Sequence, residues 1–244
     1  MPKVKDLIEK IENFAPLATQ EKWDNSGWQI NLGRENFSKI MTTLTVTEDV
    51  INQANERHCD FILAHHPLIF SPLKVIESKE IIKAIEYGIQ IYSAHTNLDL
   101  AKGGTTYTLA EKCGFSNCDF SDGFIIGKKL DIALKVDELK EKIKKNLKTD
   151  SLREINLTGK KSIKSVAFCA GAGGSEIAKV NKSGFDLFIT GEVKFHEALE
   201  ANDTRVIEVG HFDSEKFTGE IFRKILGNSC NIEEANEKRP FQIC

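Results

Sequence analysis

Imidazole and carboxylate side chains recur in this sequence directly after apolar runs of strand character. The first run, Asp60–Ala64, ends in the adjacent histidines His65 and His66 and is closed by Pro67. Side chains alternate between the two faces of a strand, so adjacent histidines inside one would point apart, whereas at its end both rings can turn toward one point. Neutral imidazole is the commonest side-chain metal ligand, and the pair therefore suggests a metal site.

Three later predicted strands end in side chains of the same kinds. In open parallel α/β sheets, ligands bind outside the carboxyl ends of the strands, so these side chains are candidates for one site rather than several. They are His95 with Asp99 after Ile89–Ala94, Glu192 after Phe185–Thr190, and His211 after Arg205–Val209.

His211 and Glu215 flank the start of a predicted helix, for which Asp213 or Ser214 is the expected N-cap. Glu215 lies four positions after His211, so both side chains can project to the same side. A cluster of three or four imidazoles and two carboxylates exceeds what one tetrahedral zinc requires. It fits two divalent ions about 3.5–4 Å apart, as in binuclear hydrolases. The mixed nitrogen and oxygen donors suit zinc, iron or manganese.

Strands alternate with helices around these candidate residues. After an amphipathic opening helix, the apolar periodicity predicts, among others, helices at Glu48–Arg57, Ser78–Gly88 and Asp213–Leu226, and a strand at Leu152–Leu157. This alternation favours an α/β fold with right-handed crossovers. We expect two α/β domains with mostly parallel sheets, divided near Gly123–Lys129 into an N-terminal domain of residues 1–125 and a C-terminal domain of residues 126–244.

The composition is that of an ordinary globular protein. The 244 residues are 41% hydrophobic and 28% charged, with a formal net charge of −3, which gives no global reason to expect nucleic acid or an anionic membrane as a partner. The six cysteines form no CxxC pair, Met1–Phe14 lacks the apolar region of a signal peptide, and no apolar stretch is long enough to span a membrane. We therefore expect a cytoplasmic protein with reduced thiols.

Several features have an ordinary structural interpretation beside the functional one. The segment with Trp23 and Trp28 is either a turn with packed aromatic rings or a pocket wall, and His196 either lies on a helix surface or has a role near the substrate. Gly171–Gly174 could cradle a phosphate, but a tight strand-to-helix turn is favoured because the spacing fits no phosphate-binding motif. The basic segment from Lys135 to Lys164 is typical of a solvated helix face.

Taken together, the motifs resemble the Nif-three-like family, whose members are commonly named GTP cyclohydrolase 1 type 2 homologues. The matching segments occur in the family's order and extend over residues 23 to 215. They are Trp23-Asp24-Asn25-Ser26-Gly27, Ala64-His65-His66-Pro67-Leu68-Ile69-Phe70, His95-Thr96-Asn97-Leu98-Asp99, Thr190-Gly191-Glu192 with His196, and Gly210-His211-Phe212-Asp213-Ser214-Glu215.

The resemblance implies a two-domain α/β subunit, a dinuclear metal centre between the domains, and a toroidal homohexamer. By the same resemblance, His95 and Glu192 lie beside the metals with His196 nearby, and these three are the candidate catalytic residues. The chain departs from the family at Gly103-Gly104, which Thr105 follows where many relatives have Asn or Asp, and it lacks the inserted middle domain of longer relatives. The implied metal ligands are His65, His66, Asp99, His211 and Glu215.

The leading hypothesis for function is a metal-dependent hydrolase of a purine nucleotide. The resemblance implies GTP as the substrate, with formate and 7,8-dihydroneopterin triphosphate as products. The runner-up is hydrolysis of a phosphoester or another amide-like substrate at the same two metals, since a binuclear site is chemically versatile. An alternative of a different class is a metal-binding hexameric scaffold or regulatory protein, since the family's name comes from a protein–protein interaction.

Overall fold

The computed structural model describes residues 1–156 and 160–241. Leu157, the last residue of the expected strand Leu152–Leu157, and Cys244 lie outside the described residues. The helices are α1 (Val4–Phe14), α2 (Glu48–Glu56), α3 (Lys79–Glu86), α4 (Thr96–Leu100), α5 (Thr105–Lys112), α6 (Val136–Leu147), α7 (Ile177–Lys182), α8 (Phe195–Ala198), α9 (His211–Glu215) and α10 (Thr218–Leu226).

Strands alternate with these helices for most of the chain, as the sequence predicts. The strands are β1 (Gly27–Ile30), β2 (Ile40–Thr43), β3 (Phe61–Ala64), β4 (Gln90–Ser93), β5 (Phe120–Asp122), β6 (Ile125–Lys135), β7 (Arg153–Ile155), β8 (Ser162–Cys169), β9 (Leu187–Thr190), β10 (Arg205–Glu208) and β11 (Ile232–Glu234). The mixed α/β class is therefore confirmed.

The chain forms two compact units that do not follow a single cut at residue 125. Residues Met1–Ala101 and Thr218–Pro240 form the first unit, and Lys102–Phe217 belongs to the second. A division after residue 125 would pass through a β-hairpin, because β5 and β6 pair with each other. Residues Thr218–Pro240 belong to the first unit because β11 pairs with β2 and because Phe222 of α10 lies in the core that packs on β2 and β3.

The first unit contains a five-stranded sheet in the order β1-β4-β3-β2-β11. Its pairs are parallel except β1 with β4, which is antiparallel. All four residues of β3 are buried, and the same holds for β4, as expected for inner strands covered on both faces. The Thr47 and Ser78 side chains accept hydrogen bonds from amides in the first turns of α2 and α3, and these caps fix where the two crossover helices begin.

The second unit contains a six-stranded sheet in the order β5-β6-β8-β9-β10-β7. Only the pairs β8–β9 and β9–β10 are parallel, so the expectation of mostly parallel strands is wrong for this sheet. For the pair β5–β6, the physical reason lies in a turn. Gly123, with φ of +63°, and Phe124 join β5 to β6 as a two-residue hairpin, which forces antiparallel pairing.

The predicted long helix at Asp213–Leu226 is wrong, because the structure has two helices there. Helix α9 ends at Glu215, and α10 begins at Thr218. Between them, Phe217 packs against the core of the second unit, whereas Phe222 lies in the core of the first. The chain leaves one unit for the other at this break.

Two further expectations agree with the structure. Helix α6 buries Val136, Leu139, Ile143 and Leu147, while lysines of the segment pair with carboxylates at its surface, as expected for a solvated helix face. Within the described part of the chain, the cysteines are free thiols. No helix in that part is long and apolar enough to cross a membrane.

Candidate functional site

The carboxyl ends of two neighbouring strands in the first unit carry three histidines. Strands β3 and β4 pair in parallel, so the residues that follow them emerge at the same edge of the sheet. His65 and His66 directly follow β3, and their amides still donate to the carbonyls of Thr43 and Leu44 at the end of β2. His95 follows β4 as the N-cap residue of α4.

A ring nitrogen from each of His65, His66 and His95 lies within 4.8 Å of the others. Each of the three Nδ1 atoms is engaged by a protein oxygen. His65 Nδ1 lies 2.7 Å from Ala94 O, and His66 Nδ1 lies 2.8 Å from the hydroxyl of Thr45. A carbonyl can only accept, so neutral His65 carries its proton on Nδ1 and presents the Nε2 lone pair.

Asp99 belongs to the same cluster. It lies on α4, one turn after His95, and its Oδ1 is 3.4 Å from Nε2 of His65. His65 is fully buried, and the Asp99 side chain is only 13% exposed. An imidazole lone pair and a carboxylate oxygen that converge in this way suit a shared cation.

Asp24 organises the surroundings of His95, and the sequence pattern did not predict this. The Nδ1–H of His95 donates to Oδ1 of Asp24 at 2.8 Å, and the hydroxyls of Ser26 and Thr96 donate to Oδ2. Burial would raise the pKa of Asp24, but these hydrogen bonds and the neighbouring imidazole outweigh it and hold the pKa well below its usual range. A charged Asp24 fixes the tautomer of His95 that presents the Nε2 lone pair.

In the second unit, His211 stands between two carboxylates. It begins α9 directly after β10, and Glu192 follows β9, the parallel neighbour of β10. His211 Nδ1 lies 3.0 Å from Oε2 of Glu192, and Nε2 lies 3.1 Å from Oε2 of Glu215. The prediction that His211 and Glu215 project to the same side of their helix is therefore confirmed.

The two carboxylates determine the charge of His211. Burial would lower the pKa of His211, but the hydrogen bonds and charges of Glu215 and Glu192 raise it to about 9. The side chain of Glu215 is only 3% exposed and that of Glu192 is 50% exposed. In the absence of another cation, the imidazolium neutralises the buried Glu215.

The glycine-rich turn after β8 packs beneath Glu215. Gly171 has φ of +64°, and a Cβ added there would overlap Oε1 of Glu215. The amides of Gly171, Gly173 and Gly174 donate to the Ser214 hydroxyl and to the carbonyls of Gly171 and Glu192. These donors are engaged with the protein itself, which favours the tight-turn interpretation over a phosphate cradle.

The two remaining histidines and the two tryptophans differ in how far they are exposed. His196 is exposed on α8, and His58 is exposed after α2. Of the two tryptophans, Trp28 packs edge-on against Phe61 and Tyr92 in the first unit, whereas Trp23 is 57% exposed.

Each unit thus gathers nitrogen and oxygen ligands at the carboxyl ends of parallel strands. The histidine cluster in the first unit could hold a metal ion. The second unit supplies one further imidazole and two carboxylates, which are also common metal ligands. These donors suit a borderline or hard divalent ion rather than a soft one.

Comparison with known proteins agrees with the resemblance of the motifs. A Campylobacter jejuni protein named GTP cyclohydrolase 1 type 2 homolog is 35% identical over 98% of this chain and 99% of its own length. A Helicobacter pylori protein named GTP cyclohydrolase 1 type 2 is 32% identical, with full coverage of both chains.

A solved structure shares the fold. The crystal structure of a Staphylococcus aureus hypothetical protein matches with a TM-score of 0.90 at 24% identity and covers 99% of each chain. The sequence model of the Duf34/NIF3 (NGG1p interacting factor 3) family matches residues 2–239. With a match over almost its entire length, the chain belongs to the Duf34/NIF3 family.

Proposed function

We propose that this protein is a metal-dependent hydrolase of the GTP cyclohydrolase type, which converts GTP and water to formate and 7,8-dihydroneopterin triphosphate. In this proposal, two divalent ions, zinc, iron or manganese, are held by ligands drawn from both units. The proposed centre is the one that the family resemblance implies between the domains. The proposed ligands are His65, His66, Asp99, His211 and Glu215.

One observation carries the metal-binding part of the proposal. His65, His66 and His95 cluster through ring nitrogens while the Nδ1 atom of each contacts an oxygen of Ala94, Thr45 or Asp24. Histidines that ligate metals almost always donate their second ring N–H in this way, since the hydrogen bond fixes the tautomer and aims the other nitrogen. His65 and His66 are two of the proposed ligands, and His95 lies beside them with its Nδ1 atom held by Asp24.

The second unit supports the same proposal through its charges. Glu215 is almost fully buried, and an unpaired carboxylate would be costly there. His211 pairs with it, and Glu192 contacts the other ring nitrogen. An imidazole beside a buried carboxylate could exchange its ring proton for a metal ion held by both groups.

The proposed chemistry divides between the bound ions and the side chains around them. Divalent ions held at these ligands would supply Lewis acidity and a water acidic enough to act as a nucleophile near neutral pH. His95, held by Asp24, is oriented to accept or donate a proton at Nε2. Glu192 is half exposed and can exchange protons with solvent, and His196 is the third proposed proton-transfer residue.

The relatives' names support GTP as the substrate, since two of them are named for GTP cyclohydrolase. The test is formate release from GTP by purified protein whose metal content has been measured, with His65→Ala and His211→Ala beside the exposed-histidine control His58→Ala. We expect release from the wild type and the control, and neither metal nor release from the two ligand variants.

Other results would identify an alternative. Bound metal without formate release would exclude the GTP reaction and direct the search to phosphoester and other amide-like substrates. Retained partner binding by ligand variants that lack any turnover would identify a scaffold instead.

A further inference from the structure

Two exposed aromatic side chains lie beside the histidine cluster of the first unit. The rings of Trp23 and Phe70 contact each other, with centroids 5.8 Å apart and planes tilted by 40°. Trp23 also packs against the His95 ring in a T-shaped arrangement, at 6.2 Å between centroids. Nevertheless, Trp23 is 57% exposed and Phe70 is 54% exposed. Both keep a large area of ring in contact with solvent.

Hydrogen bonds and the packing of Ile69 against the core hold the backbone around these rings. The Asn25 side chain donates to Ile69 O at 2.6 Å, and the Ile69 amide donates to the Gln29 side chain at 2.9 Å. These bonds tie the loop that carries Phe70 to the segment that carries Trp23. The pair is therefore positioned before any ligand arrives, and little ordering entropy remains to oppose binding.

We propose that Trp23 and Phe70 form a stacking platform for the purine base of a nucleotide substrate. This inference rests on the proposed function, because it assigns the base of that substrate to the edge of the histidine cluster. Because the two rings already contact each other, a base cannot enter between them. Because their planes are tilted by 40°, a flat base stacks on one ring and contacts the other. Aromatic faces offer large flat contact area without charge, which suits a heterocycle rather than a triphosphate.

The platform predicts a particular pattern of selectivity. Stacking on aromatic rings tolerates any base, because every base has a π-face. Guanosine and adenosine should therefore both bind there, while ribose 5-phosphate, which lacks a base, should not. Discrimination between GTP and ATP would have to come from other residues.

The protein's own fluorescence can report this binding without metal or turnover. Trp23 and Trp28 are the two tryptophans of the sequence, so Trp28→Phe leaves Trp23 as the sole indole. In chelator-treated protein, we expect iodide to quench Trp23, and guanosine both to quench it in a saturable manner and to protect it from iodide. Ribose 5-phosphate should do neither.

Calorimetry in the chain that retains Trp28 provides a second measurement that does not depend on Trp28→Phe. Trp23→Ala and Phe70→Ala should each weaken guanosine binding about tenfold or more, whereas Trp23→Phe, which keeps a ring, should stay within about threefold of the wild type. Phe241→Ala is the matched control, because Phe241 is 58% exposed and lies outside the platform. The affinity of Phe241→Ala for guanosine should equal that of the wild type.

The failure of this inference can be distinguished from failure of the proposed function. Saturable guanosine binding that Trp23→Ala weakens supports the platform even if no formate is released. Unchanged guanosine affinity and unchanged KM for GTP in Trp23→Ala would overturn the platform, while metal-dependent formate release still supported the hydrolase. Protection of Trp23 from iodide before any ligand is added would also overturn it, because another copy of the chain would then cover the ring.

Discussion

At the scale of single residues, the contact that Nδ1 makes distinguishes the three histidines of the first unit from one another. Nδ1 of His65 contacts a carbonyl, that of His66 a hydroxyl and that of His95 a carboxylate. Of these three oxygens, the charged one belongs to the histidine that we propose for proton transfer. Asp24 is therefore the positioning residue with the largest expected effect on that step.

Replacing Asp24 by Asn tests this role. The substitution keeps the size of the side chain but removes the charge that stabilises the His95 tautomer, so we expect kcat for formate release to fall about 10- to 100-fold with little change in KM. Steady-state kinetics with protein of measured metal content should separate the effect on kcat from the effect on KM. An equal rise in KM with unchanged kcat would contradict the positioning role. Asp203→Asn, at an exposed aspartate, is the control.

The same variant has a predicted dependence on pH. The folded-state pKa of Asp24 lies below its unfolded value, so its stabilisation is present at neutral pH and is lost as pH falls below about 4. We expect Asp24→Asn to lower the free energy of unfolding by about 1–3 kcal/mol at pH 7. Urea titrations at several pH values should show this difference shrinking toward pH 3. A difference that is constant with pH would argue against a charged Asp24.

The sequence was sufficient to find the histidines but not their partners. His65, His66 and His95 each follow an apolar run, and that pattern is local. The bond between Asp24 and His95 joins residues 71 positions apart. It depends on the antiparallel pairing of β1 with β4, which brings the segment before β1 beside the end of β4. The spacing of residues along the sequence does not indicate that β1 pairs with β4.

At the scale of elements, the turn after β8 sets the position of Glu215. Gly171 approaches this carboxylate so closely that a methyl group at Gly171 would overlap it, and its positive φ disfavours any other residue. Gly191 is packed equally tightly against Gly171. The backbone of this turn, rather than a side chain, therefore limits where the buried Glu215 carboxylate can lie.

Gly171→Ala should displace Glu215 and weaken metal binding at least tenfold, together with a loss of stability. Gly184→Ala is the matched control, because Gly184 has a similar φ of +72° but nothing lies within 4 Å of an added Cβ. Both variants share the backbone strain, and only the first adds the clash with Glu215. Metal titration by calorimetry should separate them, and equal metal affinities in the two variants would contradict the role given to this turn.

Helix and strand positions were predicted well where the signal is a run of apolar residues. Strand ends after Ala64 and Thr190 and the common side of His211 and Glu215 follow from such local patterns. The break after Glu215 did not, because the apolar period continues across it. Phe217 and Ile221 have the four-residue spacing of one helical face, yet they pack in different units.

At the scale of the whole molecule, the chain returns to its first unit after completing the second. Helix α10 contributes Phe222, fully buried, to the same core as Ile11 of α1 and Phe61 of β3. Sequence periodicity cannot reveal such a return, because neither α10 nor β11 differs in composition from elements of the second unit. The antiparallel pairing in the second sheet was missed for a similar reason, since pairing direction is set by connections.

Phe222→Ala tests the membership of α10 in the first core. Removing a fully buried phenylalanine should lower the free energy of unfolding by about 3–5 kcal/mol in urea titrations. Leu199→Ala, at a side chain that is 70% exposed, should change it by less than about 0.5 kcal/mol. A loss below about 1 kcal/mol for Phe222→Ala would mean that α10 does not belong to a well-packed core.

The homohexamer is a whole-molecule expectation that comes from the family resemblance. Sedimentation equilibrium of the wild-type protein should give a mass about six times that of the 27.3 kDa chain. A mass close to one chain across the micromolar range would exclude it.

We expect the proposed ligands to hold the ions on which formate release from GTP depends. The most direct test is to strip the protein of metal, add metal back in known equivalents, and measure formate release from GTP in the wild type and in His65→Ala. We expect release in the wild type to rise until about two equivalents per chain are bound, and His65→Ala to remain inactive over the same range. Full release from the metal-stripped protein, or from His65→Ala without bound metal, would contradict the claim.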